Sequence, residues 1–469
     1  MVVCLKRKNG EIVQGCTLYI GRQWSMGGWT LPKSKWYNPY TLKKDGPSAL
    51  DKFESYVRVD LLDSLAEIGG HVLGCWCKGA RACHGDVLVK LYRERFPHAS
   101  PMEGAAEACR TVPPHPGESS VLRPPVHAGP SAAGVEILAH TFGQIIHWGV
   151  YACPAYTPSL TRAERNRKVC NGSEWYADRL RRPKRYGDAT LDHHAKTHPG
   201  TEYREFLREF EGAAGDWKAD EIADVAVSAG AQYVILTAKH HDGIALYPSK
   251  FGTLHTARDY VGELAAAVRR RGMAFGVYYS LMEWTGLYSA GPKTQKIKTY
   301  VAETMHPQMK ELVSRYKPDI VWVDGDWNHT VDTWGSFDFL DWLFTESAVK
   351  DTVMVNDRWG KHKQRLVAHY ADRMVPTVTD RYIPPSGGSR REERSWEHVN
   401  TVGLSWGRAT NQDPAVYKSL EEVLRLRAAV WAKSGRFTLN VGLGADGSFD
   451  PKEQAIWGEL ASRVPDAEA

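Results

Sequence analysis

The last 299 residues of this 469-residue chain contain no cysteine, since all eight lie at or before Cys170. The larger part of the fold therefore cannot rest on disulfides. No stretch approaches the ~18 consecutive apolar residues of a membrane-spanning helix, which excludes a helical membrane protein. The opening segment, MVVCLKRKNGEIVQG, lacks the apolar core and cleavage site of a secretory signal. The expectation is a cytoplasmic protein with no membrane partner, on which the glycosylation sequons at Asn171 and Asn328 are incidental. A net charge of +5 is small for this length and gives no case for nucleic-acid binding by bulk electrostatics. No Gly-rich phosphate loop follows a predicted strand, no G-x-S-x-G elbow occurs and no H-E-x-x-H helix is present. These absences weigh against a nucleotide fold, a serine hydrolase and a metalloprotease. No repeat of solenoid or propeller period is found.

What is present is more directive. Seventeen tryptophans suit either a large core or the flat aromatic walls of a sugar-binding cleft. Residues 97–133 are rich in Pro, Ala, Gly and Ser without apolar periodicity and read as a flexible linker. They separate a small α/β domain at 1–96 from a large domain at 134–469. In the large domain, apolar strands alternate with amphipathic helices. GQIIHWGVY, AQYVILTAKHHDG, MAFGVYYS, DIVWVDGDW, TVMVNDRWG and RFTLNVG are strands, and DEIADVAVSAG, RDYVGELAAAVRRRG and HPQMKELVSRY are helices. This alternation predicts a (β/α)8 TIM-like barrel rather than an open sheet.

Barrel chemistry sits at the C-terminal ends of strands. Here those ends read His147-Trp148, Lys239-His240-His241-Asp242, Tyr278-Tyr279-Ser280, Asp324-Gly325-Asp326 and Asn356-Asp357-Arg358. Adjacent His240 and His241 cannot both face inward from a regular strand, which argues against a metal site. Carboxylates with hydroxyl-binding side chains suit glycoside hydrolysis, which needs one ionised and one protonated carboxyl. The acids available at loop positions are Glu174, Asp242, Glu283, Asp324, Asp326, Asp357 and Glu397. Asp324 continues an apolar strand and projects at a barrel mouth, whereas Asp326 lies past Gly325 and reads as a loop or cap residue.

From about Thr141 to Val464 the chain resembles the family 29 glycoside hydrolases, the retaining α-L-fucosidases. The resemblance is carried in order by FGQIIHWGVY, NGSEWYADR, YVILTAKHHDG, RDYVGEL, FGVYYSLMEW, YKPDIVWVDGDW, VMVNDRWG, SWEHVNTVGLSWG and LNVGLGADGSF. It implies cleavage of terminal α-L-fucosyl residues from an oligosaccharide or glycoconjugate through a covalent glycosyl-enzyme, with no cofactor and no metal. It further implies Asp324 as nucleophile and Glu397 as general acid/base. His147, Glu174, Trp175, His240, His241, Tyr279 and Arg358 would line the pocket, and Trp322 would support the nucleophile. The chain departs from the family's HHDGF in having Ile244, and has Tyr247 where a tryptophan is usual, changes expected in a pocket wall. An α-L-galactosidase therefore stays open as an alternative. So does a non-hydrolytic fucoside-binding barrel with the N-terminal domain as the main actor. The C-terminal β-sandwich common in the family is expected to be absent.

Residues 1–96 resemble a second family, domain of unknown function 4326, through LYIGRQWSMGGWTLPKSKWYNPY and VLGCWCKGARACHGDVLVKLY. Cys75, Cys77 and Cys83-His84 fall there, with Cys83 at the start of a predicted helix. They permit a redox, metal or anion site, or simply buried thiols.

Overall fold

The computed structural model describes residues 2–4, 6–8, 11–14, 18–22, 34–40, 48–68, 71, 73–75 and 83–96, then 141–158, 172–252, 254–284, 293–370, 372–377 and 396–463. The expected linker at 97–133, Cys77 and Asn171 lie outside the described residues. The chain falls into two compact units, Met1–Leu122 and Arg123–Ala469.

In the first unit, strands β1 (Val2–Cys4), β2 (Leu18–Tyr19) and β3 (Leu73–Cys75) form a parallel sheet in the order β1-β3-β2. Helix α1 (Ala49–Tyr56) and helix α2 (His84–Arg95) contribute Phe53, Leu88 and Leu91 to a core with Trp36, Leu65 and Leu73.

The second unit is a (β/α)8 barrel. Its strands are β4 (Phe142–His147), β5 (Tyr233–Lys239), β6 (Ala274–Ser280), β7 (Ile320–Asp324), β8 (Met354–Asn356), β9 (Met374–Val375), β10 (Trp396–Thr401) and β11 (Gly435–Gly442). They pair in parallel in the order β9-β8-β7-β6-β5-β4-β11-β10. A bridge between Thr377 and Glu397 closes the ring, with the Glu397 N–H donating to the Pro376 carbonyl at 2.9 Å. Helices α3 (Ala219–Ser228), α4 (Tyr260–Arg270), α5 (His306–Tyr316), α6 (Ser336–Thr345) and α8 (Leu420–Trp431) connect successive strands, with the short α7 (Gln364–His369) between β8 and β9. Local chemistry sets their ends. Asp259 caps α4 by accepting from the Gly262 N–H at 2.9 Å, and Gly272, at φ +71°, lies just past its C-terminus.

Side-chain alternation sorts each strand into two faces. Ile145, Tyr233, Ile235, Tyr278, Ile320, Trp322, Met354, Val375 and Val399 fill the barrel interior. Their sequence neighbours, such as Val234, Val277, Tyr279, Val321 and Val323, pack outward with the helices. The pairings also fix height. From Asp324 the register runs through Arg358 and Thr377 to Glu397. Continued through Arg436, Thr141, Ala231 and Gly272, it returns to β7's line at Tyr316, eight residues below its start. That offset is the stagger of a (β/α)8 barrel, one residue per strand. Glu397, three strands from Asp324, therefore sits three residues lower, roughly 8 Å down the barrel axis.

Candidate active site

Asp324 is the last residue of β7, and the chain turns at once through Gly325, whose φ of +74° suits glycine. A Cβ there would stand 2.8 Å from Ser280 Oγ, a second reason for glycine. Asn356 clamps the strand just below, accepting from the Val323 N–H at 3.0 Å and donating to its carbonyl at 2.7 Å. The Asp324 carboxylate is thus held at the mouth by backbone on both sides.

Three groups converge on it. The Tyr278 hydroxyl donates to Oδ2 at 2.8 Å, Arg358 Nη1 donates to Oδ1 at 3.1 Å, and His241 Nε2 lies 3.7 Å from Oδ2. Burial alone would raise this carboxyl. The Arg358 charge, then His241 and the two hydrogen bonds, outweigh burial and hold it below the ordinary value. It is ionised at neutral pH. Arg358 is itself fixed, since its Nε donates to Thr377 Oγ1 at 3.2 Å and Asp357 accepts from the Thr377 hydroxyl at 2.7 Å.

Burial holds His240 and His241 in the neutral form. Ser280 donates its hydroxyl proton to the Met282 carbonyl, so it accepts from His241 Nδ1–H at 2.6 Å, leaving the His241 Nε2 lone pair facing the site. Burial pushes His241 down to about 4, more than the nearby Asp324 raises it. Asn440 Nδ2 donates to the Trp406 carbonyl, so its Oδ1 accepts from His147 Nδ1–H at 2.6 Å, which fixes the His147 ring. His240 is driven well below its usual value by burial, and its Nδ1 has no partner among the described residues. Its ring stacks on Tyr278 at 5.4 Å. Both His240 and His241 reach the site because β5 stops at Lys239 and the register slips between Tyr278 and Tyr279. The strand is therefore not regular at this point, and the alternation of faces does not separate the two rings. Around His241 stand Trp175, Trp284 and the exposed Trp327, at 5.4, 5.3 and 5.4 Å.

Four expectations need correction. Tyr279 was expected in the pocket; it faces outward, its hydroxyl bonded to Gln308 on α5 and its ring under Lys239 Nζ. Tyr278 takes its place, one residue earlier and on the inward face. Trp322, expected to support the nucleophile from within the strand, reaches it only through Tyr278 and Arg358, while its indole N–H donates to Glu397 Oε2 at 2.6 Å. Glu397 was expected to act across the scissile bond. Instead it is buried in the interior, accepting also from Thr438 at 2.7 Å and Tyr233 at 3.3 Å. The Trp322 ring lies between it and the mouth, stacked on Tyr278 at 5.4 Å and under the Arg358 guanidinium at 4.7 Å. Lastly, Tyr247, expected in a pocket wall, packs against α5, its hydroxyl on the Gln308 carbonyl and its ring edge-on to Tyr316, while Ile244 is buried in the same large apolar cluster.

Glu174 is buried and accepts from the Gly407 N–H at 3.0 Å, tying its segment to the loop that carries Trp406 beside His147. Glu283 pairs with Lys239 at 3.4 Å on the outer side of β5, and Asp242 accepts from Tyr203 at 2.9 Å. Asp326 lies beyond Gly325, and its carboxyl is raised first by burial and then by the Asp324 charge. Asp380, Glu392 and Glu393 follow β9 in sequence and lie outside the described residues.

Comparison with known proteins agrees in kind. Residues 139–462 match the family described as Alpha-L-fucosidase, and residues 3–94 match the domain of unknown function 4326. The Dictyostelium discoideum α-L-fucosidase is 35% identical over 66% of this chain and 64% of its own length. The human tissue α-L-fucosidase is 32% identical over 74% of this chain and 70% of its own. The chain spans 63–65% of the length of the Dictyostelium, rat and mouse relatives. Among solved structures, the Thermotoga maritima α-fucosidase in complex with fucose superposes with a TM-score of 0.57 at 28% identity, covering 72% of this chain and 74% of that one.

Proposed function

Because the chain belongs to the α-L-fucosidase family, we propose that it is a retaining hydrolase of terminal α-L-fucosides, with Asp324 as its nucleophile. The observation that carries this reading is the ionised Asp324 carboxylate, gripped by Tyr278 and Arg358 at the C-terminal end of β7. Sugar hydroxyls are donors, and the Nε2 lone pair of His241, 3.7 Å from Asp324 Oδ2, is an acceptor beside the nucleophile. Trp175, Trp284 and Trp327 supply apolar surface for the ring and the methyl group of a 6-deoxy sugar.

In the first step Asp324 Oδ attacks the anomeric carbon, and the bond to the leaving oxygen breaks as a second carboxyl protonates that oxygen. A glycosyl ester results, and the same second carboxyl then takes a proton from water as the ester is hydrolysed, so configuration is retained overall. Retaining geometry places the two carboxyls about 5–5.5 Å apart with substrate between them. Glu397, three residues lower and screened by Trp322, does not meet that requirement. Asp326, raised first by burial and then by the Asp324 charge, is one acid to test as the proton donor. Asp380, three residues past Thr377 in the sequence, is a second acid to test by substitution.

An aryl α-L-fucoside tests the proposal. Hydrolysis should release α-L-fucose first by NMR, and Asp324→Gly should lose several orders of magnitude in rate and regain turnover with azide as the β-fucosyl azide. Initial release of the β anomer, or a fully active Asp324→Gly, would overturn the assignment.

A further inference from the structure

The first unit holds a cysteine pair that no step in the barrel uses. Cys75 ends β3 and Cys83 precedes α2, and their Sγ atoms stand 3.1 Å apart. This is only about 1 Å more than a disulfide bond of ~2.05 Å, so a small side-chain movement joins them. Cys83 is also the N-cap of α2. The Gly85 N–H donates to its Sγ at 3.3 Å, and its own N–H donates to Asp86 Oδ2 at 2.9 Å. An amide aimed at the sulfur and the positive end of a twelve-residue helix both favour the thiolate.

His84 supplies the base. Its Nε2 lies 2.7 Å from the Ile20 carbonyl, which can only accept, so Nε2 carries the proton. Nδ1 then presents its lone pair 3.8 Å from Cys83 Sγ. Burial lowers the imidazole's proton affinity, so the neutral, accepting form prevails near pH 7. The two sulfurs and the imidazole thus form a proton-transfer arrangement with a second thiol in reach.

We propose that Cys75 and Cys83 are a hydroperoxide-reactive dithiol in which Cys83 attacks and Cys75 resolves. Cys83 passes its proton to His84 Nδ1, and its thiolate attacks one peroxide oxygen. The O–O bond breaks, the departing alkoxide or hydroxide takes the proton from His84, and Cys83 is left as a sulfenic acid. The Cys75 sulfur then attacks the Cys83 sulfur. The S–O bond breaks, hydroxide leaves with the Cys75 proton as water, and the disulfide forms. The two cysteines lose two electrons and the peroxide gains two. With 2% and 6% exposure, Cys75 and Cys83 favour a small oxidant over a bulky disulfide such as oxidised glutathione.

The test uses the full, reduced chain treated with one equivalent of hydrogen peroxide, alkylated and digested without reductant. The expected product is a single cross-linked species joining the Cys75 and Cys83 peptides, about 2 Da lighter than the two thiol peptides together. Cys153, whose thiol burial pushes up, should still be alkylated. Cys75→Ser should accumulate a Cys83 sulfenic acid that a cyclic dione traps. Cys83→Ser should leave Cys75 unoxidised, and His84→Gln should slow cross-linking about tenfold or more. No cross-link in the wild-type chain, or Cys75 joined to a different cysteine, would sink the proposal. Stoichiometric zinc in the purified chain that blocks alkylation until a chelator is added would do the same, and none of these outcomes depends on a variant folding.

Discussion

The sharpest perturbation is at Glu397, because the two roles open to a carboxylate there predict opposite patterns. In the structure it accepts from the Trp322 indole on one oxygen and from Thr438 and Tyr233 on the other. Glu397→Gln keeps the shape. Its amide oxygen can remain on the indole N–H, while its NH2 turns toward the two hydroxyls, which can reverse direction because a hydroxyl both donates and accepts. The change should cost about 1 kcal/mol, the scale of one weakened hydrogen bond, or roughly 2–4 °C in Tm. Glu397→Ala is harsher. It leaves the indole N–H and one hydroxyl proton of the mutually bonded Tyr233–Thr438 pair unsatisfied around a cavity, for about 3–5 kcal/mol and roughly 6–20 °C in Tm. The assay is thermal unfolding alongside kcat/KM on aryl α-L-fucosides whose phenols span several pKa units. Glu397→Gln should keep kcat/KM within about tenfold, with the wild-type slope against leaving-group pKa, since a residue beneath Trp322 protonates nothing. A Glu397→Gln that melts like wild type yet loses orders of magnitude on poor leaving groups alone would refute the reasoning and restore Glu397 as the acid.

The same substrate series applied to Asp326→Asn and Asp380→Asn should single out the proton donor, as the variant whose loss grows steeply with leaving-group pKa; flat profiles from both would exclude both. Tyr278→Phe removes a hydrogen bond to an ionised group, worth about 1.5–3 kcal/mol, and should lower kcat/KM roughly 10–100-fold, whereas Tyr279→Phe should shift Tm and leave the rate near wild type; equal rate losses would contradict the assignment of faces. His241 should make stability depend on pH. Its folded value of about 4 lies below the unfolded value near 6.5, so the unfolded chain binds the extra proton and stability falls as pH drops from about 6.5 to 4. His241→Asn should flatten the Tm-versus-pH profile in that window, and an unchanged profile would show that another group carries it.

Much of the barrel is legible in the sequence because most strands are apolar runs flanked by helices of clear period. Six of the eight can be read that way. The two that cannot are β9, only Met374–Val375, and β10, whose WEHVNT carries Glu397, His398 and Asn400. A strand with polar residues on both faces gives no hydrophobic period, and Glu397 is tolerated inside because Tyr233, Thr438 and Trp322 satisfy it from neighbouring strands. That information is tertiary and cannot be found within β10 itself.

The same limit explains why some site residues are legible and others are not. Asp324 stands out because it ends an apolar run, and Arg358 because it follows a strand. Tyr278 and Tyr279 are chemically identical neighbours, and only parity separates them. Ser280 ends the same strand and pairs with Asp324, so inward-facing Asp324 implies inward-facing Ser280 and therefore Tyr278. Given the pairing of β6 with β7, parity alone places Tyr278 on the inward face. Glu397 fails for another reason. A motif fixes which residue is present but not its height in a barrel, and height accumulates one residue per strand around the ring. Three strands from Asp324, that drop is enough to carry a carboxylate from the mouth to beneath the tryptophan that floors it.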